Sequence, residues 1–144
     1  RVLCLYNEDK PDFVATAPDD ASAILMLTHK QNRFLFAGSA TRKTGNYLLS
    51  QQDNTPLKAD VLKMPHFGAD EIPDDTFFAA VAPKALVVPA PLAIWLSPYC
   101  QRSRKMAEHI PTRVNGRDGH IIIKSNGTSF TMASQWLGTR TAAP

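Results

Sequence analysis

Short apolar runs alternate with polar, turn-forming stretches along the chain, and their lengths suit strands and short helices. Residues 22–28 are almost continuously apolar, which is typical of a strand that is covered on both faces. A polar turn at residues 29–32 follows, and residues 33–37 are apolar again, so the pattern predicts a β-hairpin. A further strand is predicted over residues 1–6, followed by a polar loop that extends to Asp20.

Strands and helices alternate after this hairpin, which is the pattern of an α/β fold. Gly45 weakens the first predicted helix, whereas Pro73 and Asp74 provide a favourable start for the second helix and Pro83 ends it. Residues 92–98 give no clear assignment. The predicted helices run through residues 47–49, 73–83 and 101–109, and the predicted strands cover residues 60–64, 85–88 and 112–114.

The last part of the chain predicts a second hairpin. Residues 119–124 and 128–132 flank Ser125, Asn126 and Gly127, and Asn-Gly is a strong turn signal. We therefore expect an α/β fold that has a mixed sheet, flanking helices and a C-terminal hairpin. The expected extents are residues 1–137 for a single domain and residues 138–144 for a loose tail.

Composition supports a single soluble domain. The 144 residues are 44% hydrophobic and 20% charged, which is enough to form a core. No apolar run approaches the roughly 20 residues that a membrane-spanning helix needs, so no membrane segment is expected. Cys4 and Cys100 form no Cys-x-x-Cys pair, which favours reduced thiols and a cytoplasmic location. The chain begins inside an apparent strand without a start methionine, which suggests a cut or trimmed terminus.

The net charge of +3 is concentrated toward the end of the chain. From Gln101 onward there are seven basic residues and two acidic ones. Arg102, Arg104 and Lys105 lie on one predicted helix and are the candidates for contact with an anion or a nucleic acid. A solvated basic surface is the competing interpretation, because no aromatic side chains are interleaved with these bases.

The stretch around His66 combines an acidic strand start with a polar strand end. Asp60 opens a short apolar strand, and Pro65 ends it because proline has no N–H for the ladder. His66 therefore stands at the C-terminal tip of a strand, where ligands and metals gather in open α/β sheets. A plain polar turn residue is the alternative interpretation of His66. Asp60 is expected to fix the start of its strand.

Five stretches of the chain match, in order, the patterns N-x-x-S-L-V-L, L-L-x-T-G-D-A, L-x-A-D-V-L-K-V-P-H-H-G, F-L-x-x-V-x-P-x-x-A-V-I and x-D-G-x-I-x-I. These stretches are DASAILML (20–27), FLFAGSA (34–40), LKADVLKMPHFG (57–68), FFAAVAPKALVV (77–88) and RDGHIII (117–123). Together they resemble the C-terminal half of a metallo-β-lactamase fold, in its ComEC-like branch. The resemblance extends over roughly residues 1–130 and implies half of an αββα sandwich.

The resemblance implies metal chemistry that this chain carries only in part. Active members of the family hold one or two metal ions, often zinc, which polarise a phosphoester or carbonyl and generate a hydroxide nucleophile. Most of their ligands come from an H-x-H-x-D-H motif in the N-terminal half, and this sequence contains no such motif. Zinc or manganese would therefore be expected only if a partner segment supplied the missing ligands beside His66.

Two ligand positions of the family are also changed within this half. Ser39 stands where the family has the aspartate of T-G-D, and Phe67 stands where it has the second histidine of H-H-G. His66 remains the metal-ligand candidate, and Ser39, Asp60 and Phe67 are expected to line the former cleft. A cut or split chain explains the missing motif, a degenerate site explains the two substitutions, and both explanations can hold together.

These considerations predict a metallo-β-lactamase-fold subunit or fragment with a degenerate metal site that acts mainly through assembly. Half a sandwich leaves one face of its sheet exposed, so we expect a partner: an N-terminal half-domain, a second copy or another chain. The alternative is part of an active metal-dependent phosphodiesterase or nuclease whose main ligands lie in another chain or a missing N-terminal half. A nucleic-acid-binding module is a third hypothesis, which depends on the basic end alone.

Overall fold

A computed structural model of the chain describes residues 1–4, 13–51, 56–69 and 71–136. The described strands form a six-stranded sheet with the order β1-β2-β3-β4-β5-β6. Neighbouring strands are antiparallel from β1 to β3 and parallel from β3 to β6, so the sheet is mixed. The six strands are β1 (Val2–Cys4), β2 (Ile24–His29), β3 (Asn32–Phe36), β4 (Val61–Lys63), β5 (Ala85–Val88) and β6 (Thr112–Val114).

Four of the five α-helices of the described residues connect the parallel strands, and the fifth follows β6. They are α1 (Arg42–Ser50), α2 (Asp75–Val81), α3 (Leu92–Leu96), α4 (Gln101–Ala107) and α5 (Asn115–Asp118). The first lies between β3 and β4, the second between β4 and β5, and the next two between β5 and β6. Apolar side chains of these helices form the main core with one face of the sheet. This core includes Leu48, Phe77 and Trp95 from the helices and Leu35, Leu62 and Leu86 from the strands.

A separate two-stranded sheet packs on the opposite face. It consists of β7 (Ile121–Ser125) and β8 (Phe130–Ser134), which pair antiparallel. Its inward side chains contact a second, smaller core of Phe34, Val61 and Ala85. The rings of Phe34 and Phe130 meet edge to face with centroids 6.4 Å apart. The molecule therefore has helices on one face of its main sheet and a hairpin on the other.

The architecture confirms the prediction of an α/β fold with a mixed sheet, flanking helices and a C-terminal hairpin. The bounds of β5 and β6 agree with the predicted strands, and the unassigned residues 92–98 contain α3. The predicted loop before β2 contains a 3₁₀ turn at Pro18–Ala21. The expected tail at 138–144 lies outside the described residues.

The turn of the C-terminal hairpin differs from the prediction. The sequence predicts strands at 119–124 and 128–132, whereas the structure has a four-residue loop, 126–129, between β7 and β8. The side-chain oxygen of Asn126 accepts hydrogen bonds from the backbone N–H groups of Thr128 and Ser129, at 2.9 and 2.8 Å. Asparagine commonly replaces a backbone partner in this way, and the longer loop follows from it.

Within the described part of the chain, no helix combines the length and the apolar character that crossing a bilayer requires.

Gly45 lies inside α1, where its missing side chain permits a close approach. A Cβ atom at this position would lie 2.7 Å from the Cβ of Pro73, at the segment that leads into α2. Such a contact forces neighbouring backbone to move. The glycine that weakens the helix in the sequence is therefore required by the packing of α1 on that segment.

We expect Gly45→Ala to lower the free energy of unfolding by about 1–3 kcal/mol, because the new methyl group overlaps Pro73. In an open helix the same change raises stability by about 1 kcal/mol, so the sign of the effect is informative. Asn46→Ala on the exposed side of the same helix is the matched control, expected to stabilise by about 0.5 kcal/mol. Urea unfolding of both variants measures the difference, and stabilisation by Gly45→Ala would contradict the close approach.

Candidate functional site

Two of the predicted cleft residues meet where the parallel strands β3 and β4 end. Ser39 lies just beyond β3, and its N–H donates to Ser22 Oγ at 2.8 Å. His66 lies just beyond β4, and its N–H donates to the carbonyl of Gly38 at 3.1 Å. The structure therefore brings the turns that carry Ser39 and His66 together at the C-terminal edge of the sheet.

Lys63 adds a cation to this edge. It is the last residue of β4, and its Nζ lies 3.4 Å from the carbonyl oxygen of Gly38. Burial lowers the pKa of Lys63, because desolvation disfavours the charged ammonium. The lysine was part of the matched sequence pattern, but the pattern alone did not indicate that its side chain would reach the β3 turn.

The turn that holds His66 has an uncommon backbone. His66 and Phe67 both have left-handed conformations, with φ angles of 43° and 58°. For residues other than glycine this geometry costs about 1–2 kcal/mol each. The turn is held by α4, whose Ser103 Oγ donates to the Gly68 carbonyl at 2.6 Å, and by the backbone bond to Gly38. Backbone strain of this kind clusters at functional sites.

The imidazole of His66 is partly exposed and faces an acidic side chain. Its Nε2 lies 4.0 Å from Oδ2 of Asp19, which belongs to the 3₁₀ turn Pro18–Ala21. The Phe67 ring is exposed, and its centroid lies 6.0 Å from that of His66. Asp19 is a site residue that the sequence argument missed. Its only signal was an acidic pair, Asp19 and Asp20, shortly before β2.

The side chains at this edge do not form a metal site by themselves. Among the described residues, no group of three or more His, Cys, Asp or Glu is placed to hold a metal ion. Ser39 and Phe67 offer no carboxylate or imidazole, whereas His66 and Asp19 provide a nitrogen and an oxygen donor at this edge. Catalytic zinc sites take three protein ligands, so this pair fits zinc or manganese only with further donors from another segment.

Asp20 anchors the segment next to the cleft. Its buried carboxylate accepts hydrogen bonds from Thr41 Oγ1 at 2.6 Å and from the N–H and Oγ1 of Thr16 at 2.8 and 2.9 Å. Burial by itself would raise the pKa of Asp20, but these hydrogen bonds outweigh it and lower the pKa to about 2. The carboxylate thereby ties the 3₁₀ turn that carries Asp19 to the start of α1.

The structure separates Asp60 from this group. It precedes β4, at the end of the strand opposite to His66, and accepts the N–H of Arg33 at 2.9 Å. Lys84 Nζ lies 2.7 Å from the other carboxylate oxygen. Burial would raise the pKa of Asp60, and the contacts with Lys84 and Arg33 lower it overall. These contacts fix the start of the strand, and of the residues predicted to line the cleft, Ser39, His66 and Phe67 lie together at the other end.

The three predicted anion-binding bases lie on α4, but two of them contact their own chain. Arg102 donates to the Pro73 carbonyl at 2.9 Å and to Asp75 at 2.7 Å. Arg104 donates to the carbonyls of Trp95 and Ser97. Lys105 is exposed. Contact with an anion or a nucleic acid stays a prediction, and it would have to compete with these internal hydrogen bonds at Arg102 and Arg104.

Comparison of the chain with models of protein families, with curated proteins and with solved structures gives no match.

We expect Asp20→Asn to lower the free energy of unfolding at pH 7 by about 2 kcal/mol, because the charged carboxylate is stabilised by its hydrogen bonds. The folded-state pKa is depressed, so this stabilisation is present above the ordinary pKa of 3.8 and is lost as the pH falls toward about 2. The difference between the variant and the parent should therefore shrink across this acidic window.

Asp19→Asn is the matched control for this measurement, since Asp19 is the adjacent and more exposed carboxylate. Its expected effect on the free energy of unfolding is within about 0.5 kcal/mol at every pH. Denaturant unfolding at pH values from neutral down to the acidic window measures both variants. A pH-independent loss in Asp20→Asn would contradict the assigned role of the charge.

Proposed function

We propose that this chain is the C-terminal half of a metallo-β-lactamase-like sandwich with a degenerate metal site, and that it acts mainly through assembly with a partner segment. The observation that supports the proposal most directly is an uncovered apolar surface on the main sheet. This surface lies on the face that carries the β7–β8 hairpin, and we call it the open face.

Four large apolar side chains form the open face. Relative exposures are 53% for Val2, 42% for Leu25, 55% for Leu27 and 42% for Phe36. Strand pairing makes them neighbours, because Leu25 lies opposite both Val2 and Phe36 in the ladders. Leu27 follows two positions along β2 and therefore points to the same face. Contiguous exposed apolar surface of this kind is typical of interaction sites.

The residues that precede Leu25 and Leu27 along β2 are buried, so the apolar exposure is confined to one face of the sheet. Ile24 and Met26 of β2 are 0% and 3% exposed, since they point to the helical face. The hairpin buries Phe34, Val61 and Ala85 on the other face but does not extend over Leu25 and Val2. The polypeptide described here thus has a second layer that covers only part of the sheet, as expected for part of a sandwich.

The composition of the cleft favours a role other than catalysis by this chain alone. A hydroxyl at Ser39 and a phenyl ring at Phe67 occupy the positions where the family places metal ligands. Asp19 is a carboxylate neighbour of His66, and the described residues hold no group of three or more His, Cys, Asp or Glu that could bind a metal ion. A degenerate hydrolase half that acts by binding a partner accounts both for the substituted ligand positions in the cleft and for the exposed apolar side chains of the open face.

The second candidate is an active metal-dependent phosphodiesterase or nuclease that is completed by a partner with an H-x-H-x-D-H segment. The left-handed backbone at His66 and Phe67 favours this candidate, because the turn keeps a costly geometry at a strand tip. In such an assembly His66 would bind zinc or manganese together with the partner's ligands, and the metal would supply an activated hydroxide.

We expect the double variant Leu25→Glu, Leu27→Glu to abolish assembly. Full burial of an exposed leucine contributes about 1.5–3 kcal/mol, and because these two are already about half buried, their remaining surface contributes about 1.5–3 kcal/mol together, or more than tenfold in affinity. Size-exclusion chromatography with light scattering, followed by denaturing intact mass, measures the assembly of the natively purified protein. Leu96→Glu is the matched control, because Leu96 is 61% exposed but lies on α3. A parent protein that is monomeric and has no second polypeptide would contradict the proposal.

Metal content separates the two candidates. For a degenerate site we expect the native assembly to contain no stoichiometric zinc or manganese, and His66→Ala to leave its metal content unchanged. Elemental analysis of the purified assembly provides the measurement, and Ser39→Ala is a control at the neighbouring turn. About one or more metal ions per assembly, lost in His66→Ala, would favour the enzyme instead.

A further inference from the structure

A groove of about 460 Å³ lies beside the hairpin on the open face. Leu27, Phe34 and Phe36 form its floor, and Ile123 and Ser125 of β7 form its wall. Within the described part of the chain no residue of β8 lines it, so β7 is the hairpin strand that borders the groove. Beyond β3 the main sheet continues through β2 and β1, a width of two strand spacings or about 10 Å. One or two added strands could therefore lie beside β7, in the same layer as the hairpin and over β2 and β1.

The edge of β7 that borders this groove carries unpaired backbone groups. In the hairpin, the N–H of Asn126 donates to the Ser129 carbonyl and the N–H of Gln135 donates to the His120 carbonyl. In an antiparallel ladder hydrogen-bonded and non-hydrogen-bonded pairs alternate, so the even-numbered residues of β7 bond to β8 and the odd-numbered residues do not. It follows that the backbone groups of Ile121, Ile123 and Ser125 point away from β8. No described backbone group outside the hairpin pairs with them. A strand edge of this kind is a template for a further strand.

The position of this edge is fixed by contacts between the two hairpin turns. Ser125 Oγ donates to Asn32 Oδ1 at 2.8 Å and lies 3.0 Å from Nδ1 of His29. The N–H of Gln31 donates to the Gly127 carbonyl at 2.9 Å. These bonds close one end of the groove and hold the C-terminal end of β7 beside the turn between β2 and β3. The docking edge is therefore formed before any partner binds, which lowers the entropic cost of binding.

The described strands around the groove carry no negative charge, because the sequences of β1, β2, β3, β7 and β8 contain no aspartate or glutamate. Arg33 of β3 alternates with Phe34 and Phe36 and therefore points to the helical face, so Lys124 of β7 is the cation that these strands place beside the groove. Lys124 is exposed on the outer side of β7, where it would lie beside the outward residues of an added strand. Opposite charges at such cross-strand positions are favourable, so acidic residues fit there.

A second copy of the chain does not fit this groove by antiparallel pairing of the two β7 edges. Both main sheets would then lie on the same side of the joined hairpins, and the β2 and β1 strands of one copy would overlap those of the other. This overlap favours a separate segment as the occupant.

We propose that the outer edge of β7 binds an extended segment of a partner chain by strand addition, with apolar residues directed to Leu27 and Phe36 and acidic residues directed outward beside Lys124. This inference depends on the proposed assembly and names the chemistry of the partner. Main-chain hydrogen bonds to Ile121, Ile123 and Ser125 would provide affinity. The apolar floor of the groove would provide specificity, because it favours a bound strand in which every second residue is apolar.

A displayed library of random peptides, roughly ten residues long, tests the inference on the full chain. We expect enriched peptides to alternate apolar and acidic residues, and to bind Ile121→Pro at least about tenfold more weakly. Proline removes the outward N–H of Ile121 without removing a hairpin bond. Ser134→Pro is the matched control, because Ser134 pairs with Ile121 and its N–H points to the opposite edge. Thermal unfolding establishes that both variants are folded.

Leu27→Glu provides a second variant that leaves the backbone of β7 unchanged, and it should weaken the same peptides by a similar factor. An absence of enrichment, or enriched peptides that bind Ile121→Pro as tightly as the parent, would overturn strand addition. So would slow amide exchange at Ile121, Ile123 and Ser125 in the chain alone, since its own residues would then occupy the edge. The proposed function is tested separately, by the co-purification and metal measurements, and none of these results changes the outcome expected there.

Discussion

The buried side chain of Asn32 attaches the β7–β8 hairpin to the main sheet, and the rest of the structure depends on this attachment. Asn32 is 4% exposed, accepts a hydrogen bond from Ser125 Oγ at 2.8 Å and donates to the Thr128 carbonyl at 3.4 Å. It also helps to lower the pKa of Asp60, the residue that precedes β4. An amide buried at this depth costs about 1–3 kcal/mol if it loses its partners, so the two hairpin turns are held together firmly. The stem of Lys30 packs against Gly127 at the same place, where a Cβ would lie 2.5 Å from the lysine Cδ.

This attachment decides which part of the sheet is covered. The hairpin is fixed over the beginning of β3 and β4, where Phe34 and Val61 are buried, and the later part of β3 is left open at Phe36. Phe36 comes just before Gly38, whose carbonyl receives the N–H of His66 and faces the Nζ of Lys63. A segment that fills the groove would therefore run toward the strained turn, and assembly and the former cleft would share one region of the molecule.

Local patterns were sufficient for much of the fold. The apolar run at 85–88 predicted β5 because buried strands need uninterrupted apolar residues, and the order of the elements predicted the α/β class. The role of Asp60 at a strand start also followed from local sequence. The hairpin register did not, because it is set by the side chain of Asn126 rather than by the Asn-Gly pair alone. The approach of Asp19 to His66 and the bond of Arg102 to Asp75 join segments that are distant in sequence, so no local pattern could indicate them. Arg104 bonds to nearby Trp95 and Ser97, but these residues lie in the stretch that the sequence left unassigned.

Hydroxyl-radical footprinting tests most directly whether the open face is an assembly surface. The measurement compares oxidation of Leu25, Leu27 and Phe36 in the natively purified protein with oxidation in the isolated chain, and uses Leu96 and Tyr99 as exposed references. Our account predicts that the three sheet residues are strongly labelled in the isolated chain and protected in the native protein, while the references are labelled equally in both. Equal labelling of the sheet residues in both samples would contradict it.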